Sequence, residues 1–457
     1  MAEPTRREFV LGEGGGTGGG SQNLLVGLGP SHPAMHGIIR IAAELDGETI
    51  VRADVEIGYL HRAFEKDCEV GGWNNAIPYT DRLNYVSPLI NNFGYCAAVE
   101  KLLGIEVTER CKYIRVIMSE ISRVCDHLTC VGATAMELGA FTAFLYMIKA
   151  REYLWELVED VTGARLTISY GRVGGVKADL PDGLAGKARH AFKETREVLD
   201  EVHRLLTGNR IFVDRMVGIG ALTREETIAY AITGPMLRAV GVPYDVRRAR
   251  PYDVYDRLEW VIPTQQDGDN YARYLVRIAE MEQSMRIVEQ ALAMIPGGPI
   301  NVDAEGRPID PAAYVDRGKQ GKTEGLLLVP ITLSPNLEGQ ARAELARVSV
   351  GDKRVVLPPK ANTYGSIEGL MNHFMLIMDG YGIRPPQGEA YVPVEGANGE
   401  LGFYVVSDGS DRPYRVRCRP PCLPPMAALH RMIEGEMVAD LVPTFGSVNM
   451  IGGELDR

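Results

Sequence analysis

No two cysteines of the 457-residue sequence stand at C-x-x-C spacing, so the common frames for zinc or iron-sulfur ligation are absent. The seven thiols are Cys68, Cys96, Cys111, Cys125, Cys130, Cys418 and Cys422. Cys418 and Cys422, four apart beside prolines, allow a weak metal reading; buried or incidental thiols are the plainer one, and no metal is expected on this chain alone. Long apolar runs are also missing. Spanning a bilayer takes roughly 20 uncharged apolar residues, yet Phe141 to Ile148 stops at Lys149 and Leu326 to Leu333 is broken by Pro330. Any membrane association is therefore expected to be indirect. The opening residues, MAEPTRREFV, carry no apolar signal core, which leads to an expectation of a cytosolic chain with reduced thiols. Positive charge is in deficit, 49 Lys and Arg against 60 Asp and Glu for a net of -11, and no local basic patch stands out, so no nucleic acid is expected as a partner.

Nucleotide-binding glycine motifs fail as well. Gly27-Leu28-Gly29 runs into Pro30 instead of opening a helix, and Gly321-Lys322-Thr323 has Asp316 where a P-loop needs its first glycine. The triplets Gly14-Gly15-Gly16 and Gly18-Gly19-Gly20 have neither a strand before them nor Lys-Ser/Thr after them. They predict a flexible tail over residues 1–22.

What remains is a globular composition, 45% hydrophobic and 24% charged, sufficient for sizeable cores. Residues 23–72 read as a β-rich segment: LLVGLG, GIIRIAAEL and TIVRADVEIG, with Asp46-Gly47 turning a hairpin between the last two. The GPSHPAMHG loop enters it and carries His32 and His36. Residues 73–295 read as a bundle of long helices. Ile114, Ile117, Ile121, Val124, Leu128 and Val131 recur at three and four, as do Leu275, Ile278, Met285, Val288 and Leu292 with one gap. Gly-rich 162–181 and irregular 243–267 interrupt them. From 296 to 457 the composition shifts to Gly, Pro and alternating apolar runs, a β-containing α/β segment. The fold class is α+β.

Three groups of residues invite chemistry. His32 and His36 on one turn can present a proton donor or a metal ligand. His127 adjoins the apolar face of its helix, where a core histidine with one satisfied hydrogen bond is favoured. Asp81 to Ser87 sets charge, amide, phenol and hydroxyl groups in an apolar neighbourhood, where they must be paired or functional.

Six motifs occur in order: GPSHPAMHG, VEIGYLHRAFEK, PYTDRLNYVSPLINNFGYCAAVEKLLGI, EISRVCDHL, RVGGVKADLP and GELDR. Together they resemble the 49 kDa subunit (the D subunit) of respiratory complex I over about residues 24–457. That family is itself similar to the large subunit of nickel-iron hydrogenases, so the resemblance implies a fold of that kind. The four hydrogenase cysteine positions match Asn84, Ser87, Ile451 and Glu454, and such groups cannot bridge a nickel-iron centre. The resemblance implies a quinone-site subunit of a proton-translocating NADH:quinone oxidoreductase, inactive alone. In that family the quinone sits between this subunit and a neighbour that supplies the terminal 4Fe-4S cluster. His36 and Tyr85 would then hydrogen-bond the quinone carbonyls and deliver protons. Glu137 matches the acid, expected at the start of the next helix, that reprotonates His36. Arg62 and Arg82 match arginines near the cluster and chamber, with a structural salt bridge as the plainer role.

Partners implied are the other peripheral-arm subunits, especially the 4Fe-4S subunit and the homologue of the C subunit, and the membrane arm. The location implied is peripheral, on the cytoplasmic side of the cell inner membrane. Three departures stand out. Thr167 replaces a histidine thought to tie the cluster potential to pH, Asn84 and Asn449 replace aspartates, and Met35 adds bulk beside His36. These suit a different quinone or a divergent paralogue. A donor other than NADH, or a scaffold that no longer turns over, are the alternative readings.

Overall fold

The computed structural model describes residues 23–32, 37–302, 306–309 and 383–457, with isolated positions between 365 and 374. His36, Met35 and the glycine triplets lie outside these, as do the runs at 326–333 and 354–360. The described chain is α+β.

Strands β1 (Leu24–Leu28), β2 (Arg40–Asp46) and β3 (Thr49–Glu56) form an antiparallel meander in the order β1-β2-β3. Gly47 turns the β2–β3 hairpin at φ +63°, a conformation that costs glycine no Cβ clash. The predicted hairpin is present, and β1 extends it by one strand. Short helices α1 (Phe64–Val70) and α2 (Ile77–Thr80) follow.

The long helices are α3 (Pro88–Leu103), α4 (Glu109–Glu137), α5 (Phe141–Thr162), α6 (Leu184–Val202) and, after the short α7 (Arg210–Asp214), α8 (Arg224–Ala229), α9 (Pro235–Ala239) and α10 (Val246–Ala249), α11 (Asn270–Met294). Local chemistry sets their ends. Thr108 caps α4 by accepting from Cys111 N, Asp269 caps α11 by accepting from Ala272 N, and Gly104 ends α3 in the left-handed region. All six apolar positions predicted for α4 are buried in the main core, between α5, α6 and α11. Each contributes about 1.5–3 kcal/mol by leaving water.

The stripe predicted for α11 is only partly right. Met285 and Val288 are buried, but Leu275, Ile278 and Leu292 are half-buried. The inward face of α11 is taken instead by Arg273, Arg277 and Glu280. Glu280 is buried on Arg238 and Arg273 on the Gly220 carbonyl, long-range partners that hydrophobic periodicity does not register.

The 162–181 interruption holds a two-stranded turn, β4 (Gly171–Arg172) with β5 (Gly175–Val176), and a second small pair follows, β6 (Asn301–Val302) with β7 (Pro308–Ile309). At the C-terminal end β8 (Gly388–Gly396), β9 (Gly399–Ser407) and β10 (Arg415–Arg419) form an antiparallel sheet in the order β10-β9-β8. It packs on α3, where a Cβ on Gly94 would stand 3.0 Å from Val394 and 3.1 Å from Phe403. Three helices close the chain: α12 (Leu423–Ile433), α13 (Val438–Val448) and α14 (Gly452–Asp456). Among the described residues no helix is long and apolar enough to cross a membrane. All seven cysteines are buried, as expected.

Candidate functional site

The C-terminal GELDR segment is threaded between the loops that carry the other motifs. Asp456 accepts from Gly58 N at 2.9 Å and Leu60 N at 2.7 Å, and its carbonyl takes the Nδ1–H of His61 at 2.7 Å. Arg62 donates to the carbonyls of Arg82 at 2.6 Å and Gly453 at 3.1 Å. Gly453 has no room for a side chain, since a Cβ would meet the Arg82 and Leu83 carbonyls, and a Cβ on Gly452 would stand 3.1 Å from Leu60. Gly37, next in sequence to His36, packs against Met450 and Gly452. Three distant stretches, at 37, 58–62 and 82–83, thus meet at residues 450–457.

Tyr85 sits at this junction, half-buried against the cluster that contains Cys422, Met450 and Ile451. Burial pushes its phenol up from the ordinary value; the neighbouring Cys422 adds to this and the Arg62 charge opposes it. Arg62 is lowered by desolvation, with Arg82 adding to the effect and Tyr85 and Asp456 opposing it. Arg82 donates to Pro78 O and stands 3.6 Å from Asp81. The salt bridge foreseen as its plainer role is therefore present, whereas Arg62 is held by carbonyls. Asp81 itself is buried and accepts from Asn92 and from the amide and hydroxyl of Ser169.

Beneath Tyr85 lies a second layer. Asp126 of α4 is fully buried and accepts from Asn84 at 2.8 Å, Ser87 at 2.7 Å and Asn449 at 2.8 Å. Asn449, in the left-handed region as the cap of α13, also donates to Asn398 in the β8–β9 turn. Asn398 donates to the Cys422 sulfur at 3.3 Å, and the Cys422 amide donates to Glu454 at 2.9 Å. Of the hydrogenase-matching positions, Asn84 and Ser87 are tied to Asp126 and Glu454 to the Cys422 amide, while Ile451 packs in the core, a donor set that does not fit a thiolate-bridged metal. Among the described residues no group of three His, Cys, Asp or Glu is placed to hold a metal ion.

Glu137 is placed differently from the expectation. It closes α4 instead of opening the next helix, and its carboxylate borders Gly446 of α13. Eleven residues of helix, about 16 Å, separate it from Asp126. The two nonetheless share a face of α4 with Cys130 and Thr134, because 126, 130, 134 and 137 follow the helical repeat. The structure thus brings Tyr85, Arg62 and Arg82 together and leaves Glu137 apart. Thr167 is exposed and holds φ +50°, a strained value for a β-branched residue.

His127 is the core histidine expected. It is fully buried, and its Nε2 meets Glu280 at 2.9 Å. Burial lowers it despite Glu280, so a neutral ring donates this bond. Glu280 pairs with Arg238 as well, and the chain of buried charge continues through Glu395, Asp245, Arg247 and Glu120 to Arg123. Asp126, Asn398 and this network escaped sequence reasoning. The signal available was EISRVCDHL, which puts Glu120, Arg123, Asp126 and His127 on a helix otherwise buried all round.

Residues 137–324 and 333–457 match the family described as "Respiratory-chain NADH dehydrogenase, 49 Kd subunit". The chain is 48% identical over 437 residues to the NADH-quinone oxidoreductase D subunit of Myxococcus xanthus, covering 96% of this chain and 93% of that one. It is 48% identical over 438 residues to the first NADH-quinone oxidoreductase D subunit of Sorangium cellulosum, covering 96% of each. It is also 45% identical over 434 residues to the NADH-quinone oxidoreductase C/D subunit of Bdellovibrio bacteriovorus, covering 95% of this chain and 69% of that protein.

Proposed function

The chain belongs to the respiratory-chain NADH dehydrogenase 49 kDa subunit family, and from that premise we propose that it is the quinone-site subunit of an NADH:quinone oxidoreductase. The observation that carries the reading is the junction at Tyr85. A half-buried phenol stands beside the Arg62 charge, on a wall assembled from three distant stretches and closed by residues 450–457.

Reducing a quinone by two electrons builds charge on both oxygens, and each oxygen needs a donor and then a proton. Tyr85 donates at one end. His36 donates at the other, and the packing of Gly37 on Met450 and Gly452 brings the chain next to His36 to the same wall. The resemblance assigns Glu137 as the acid of the His36 end; its carboxylate borders Gly446 and stands apart from Tyr85. Arg62 and Arg82 supply positive charge toward the partner's 4Fe-4S cluster, from which the electrons arrive.

Within the assembly the neighbours would be the terminal 4Fe-4S subunit, the homologue of the C subunit and the membrane arm. A relative named as a C/D subunit supports the second of these. Attachment on the cytoplasmic side of the inner membrane would run through such partners, and quinone reduction would start the signal to proton translocation. The relatives' names favour NADH as the electron source over another donor.

Tyr85→Phe and His36→Ala in the assembled complex test the reading. Quinone reduction should fall by about 10² or more, while NADH oxidation by an artificial acceptor persists. Full quinone turnover in both variants would leave the chain a scaffold.

A further inference from the structure

Tyr85 is carried on a loop that one carboxyl group holds from both sides. Asn84, just before it, donates its side-chain amide to Asp126 Oδ2 at 2.8 Å, and Ser87, two residues after it, donates its hydroxyl to the same oxygen at 2.7 Å. The other oxygen, Oδ1, takes the side-chain amide of Asn449 at 2.8 Å. Asn449 caps α13 and leads directly into residues 450–457, the wall on which Tyr85 packs. One oxygen thus holds the loop and the other holds the wall.

The anchorage leaves little freedom. Asn84, Ser87, Asp126 and Asn449 are all buried, so solvent does not replace a lost bond. Both amides have a single orientation. Asn84 Oδ1 accepts from the backbone amides of Val86 at 3.1 Å and Ser87 at 3.3 Å, which leaves its NH2 for Asp126. Asn449 also donates to Asn398, which fixes its NH2 in the same way. Asn91 of α3 donates to the Asn84 carbonyl at 2.9 Å and holds that backbone, while Ser87 makes no side-chain cap bond to α3, so its hydroxyl serves Asp126. Asp126 itself stands on α4, whose apolar residues are buried in the main core. The loop and the wall are therefore both referred to the most deeply packed helix of the chain.

We infer that Asp126 is the positioning residue of this site: it sets where the Tyr85 hydroxyl stands relative to the 450–457 wall, and so the space offered to a quinone head group. The inference rests on the quinone-site reading above. Asp126 touches neither quinone nor the transferred proton; it acts on Tyr85 through Asn84 and Ser87, and on the wall through Asn449. A proton donor displaced from its line of transfer loses rate more than affinity, so a loosened anchor is felt in kcat.

A role of this kind lies in the geometry and survives an exchange of the two groups. In D126N the new amide has its NH2 opposed to another NH2 whichever way it turns, that of Asn449 in one orientation and that of Asn84 in the other. In N84D two carboxyl groups face each other across the 2.8 Å contact with no amide to donate. Together the two substitutions restore every bond in reverse. The NH2 at 126 donates to the carboxyl at 84 and to the Ser87 hydroxyl, which accepts as well as it donates, and the oxygen at 126 keeps Asn449. The second oxygen at 84 keeps the Val86 and Ser87 amides.

The experiment measures kcat and KM for quinone in D126N, N84D, D126N/N84D, S87A and Y85F in the assembled complex, with artificial-acceptor turnover counting the assembled complexes. In D126N and in N84D, kcat per assembled complex should fall about tenfold or more while KM moves by less than about threefold. The double variant should return to within about threefold of the unmodified kcat. A purely structural role predicts fewer assembled complexes that each turn over at the unmodified rate, and that result overturns the positioning role. Losses in the single variants that simply multiply in the double variant overturn it too. A slow Y85F beside D126N and N84D at the unmodified kcat overturns the anchor alone, whereas the unmodified kcat in all five overturns the quinone-site reading with it. If D126N and N84D do not assemble, S87A decides. It removes only the Asp126 bond on the far side of Tyr85, and its kcat should fall about threefold at unchanged KM; full kcat there overturns the inference.

Discussion

Gly453→Ala perturbs the junction by a single methyl group. A Cβ built on Gly453 stands 2.4 Å from Arg82 O and 2.8 Å from Leu83 O, with the Arg62 guanidinium at 3.1 Å. The first two are backbone atoms, so no side-chain rotation relieves them. Either α14 or the 82–83 backbone must retreat by at least the 0.6 Å between 2.4 Å and the 3.0 Å that real Cβ contacts respect. Tyr85 lies two residues from Leu83, and Arg62 is bonded to both sides of the contact, so the retreat moves both. Misplacing a reacting group by about 1 Å costs up to about 10² in rate. The expected result is a ten- to hundredfold fall in NADH:quinone reduction, on the order of 1.4–2.7 kcal/mol of barrier, with artificial-acceptor turnover retained. Gly186→Ala in α6 is the control, because nothing lies within 4 Å of its added Cβ, and it should leave both activities unchanged. Full quinone turnover in Gly453→Ala would refute the claim that the terminus is wedged against the Tyr85 loop.

Three other outcomes follow. Asp126→Ala strands donors on Asn84, Ser87 and Asn449 at about 1–3 kcal/mol each, so the yield of assembled complex should collapse, while Asp126→Asn should retain more; equal yields would contradict these three bonds. Glu280 is raised by burial but lowered further by Arg238 and His127, so its net position is well below the ordinary carboxylate range. A depressed folded value contributes stability that is present above the unfolded carboxylate range and is lost as pH falls through the folded one. Amide exchange in α4 and α11 should therefore accelerate on acidification below about pH 4.5; in Glu280→Gln that pH dependence should weaken, with a neutral-pH loss of about 3 kcal/mol. Thr167 has no titration near neutrality, so the potential of the partner's cluster should change little with pH, and the ordinary slope in a redox titration would contradict this.

Much of the scaffold was legible from one sequence because its signals are local. The apolar repeat of α4, the Asp46-Gly47 turn and the alternation in GELGFYVVSDG each settle an element within a dozen residues. The short helices between Arg210 and Ala249 were not legible, since none is long enough to show a period. Nor was the inward face of α11, where Arg273, Arg277 and Glu280 are buried, Glu280 on Arg238 and Arg273 on the Gly220 carbonyl, partners remote in sequence. At the site, Tyr85 and Arg62 were found through motif resemblance, and their proximity holds. The layer beneath them was invisible because Asp126 meets residues 42 positions before it and 323 after it. The resemblance puts Glu137 at the start of the next helix, but α4 runs through it before Gly139 turns the chain at φ +86°.

The central claim is that the quinone head group binds at the junction of Tyr85, Arg62 and the chain terminus. A structure of the assembled complex with bound quinone tests it most directly. The account predicts a quinone oxygen within about 2.6–3.2 Å of the Tyr85 hydroxyl, with Gly453 and Arg62 lining the same wall. A head group bound away from Tyr85, with that hydroxyl turned to another protein group, would contradict it.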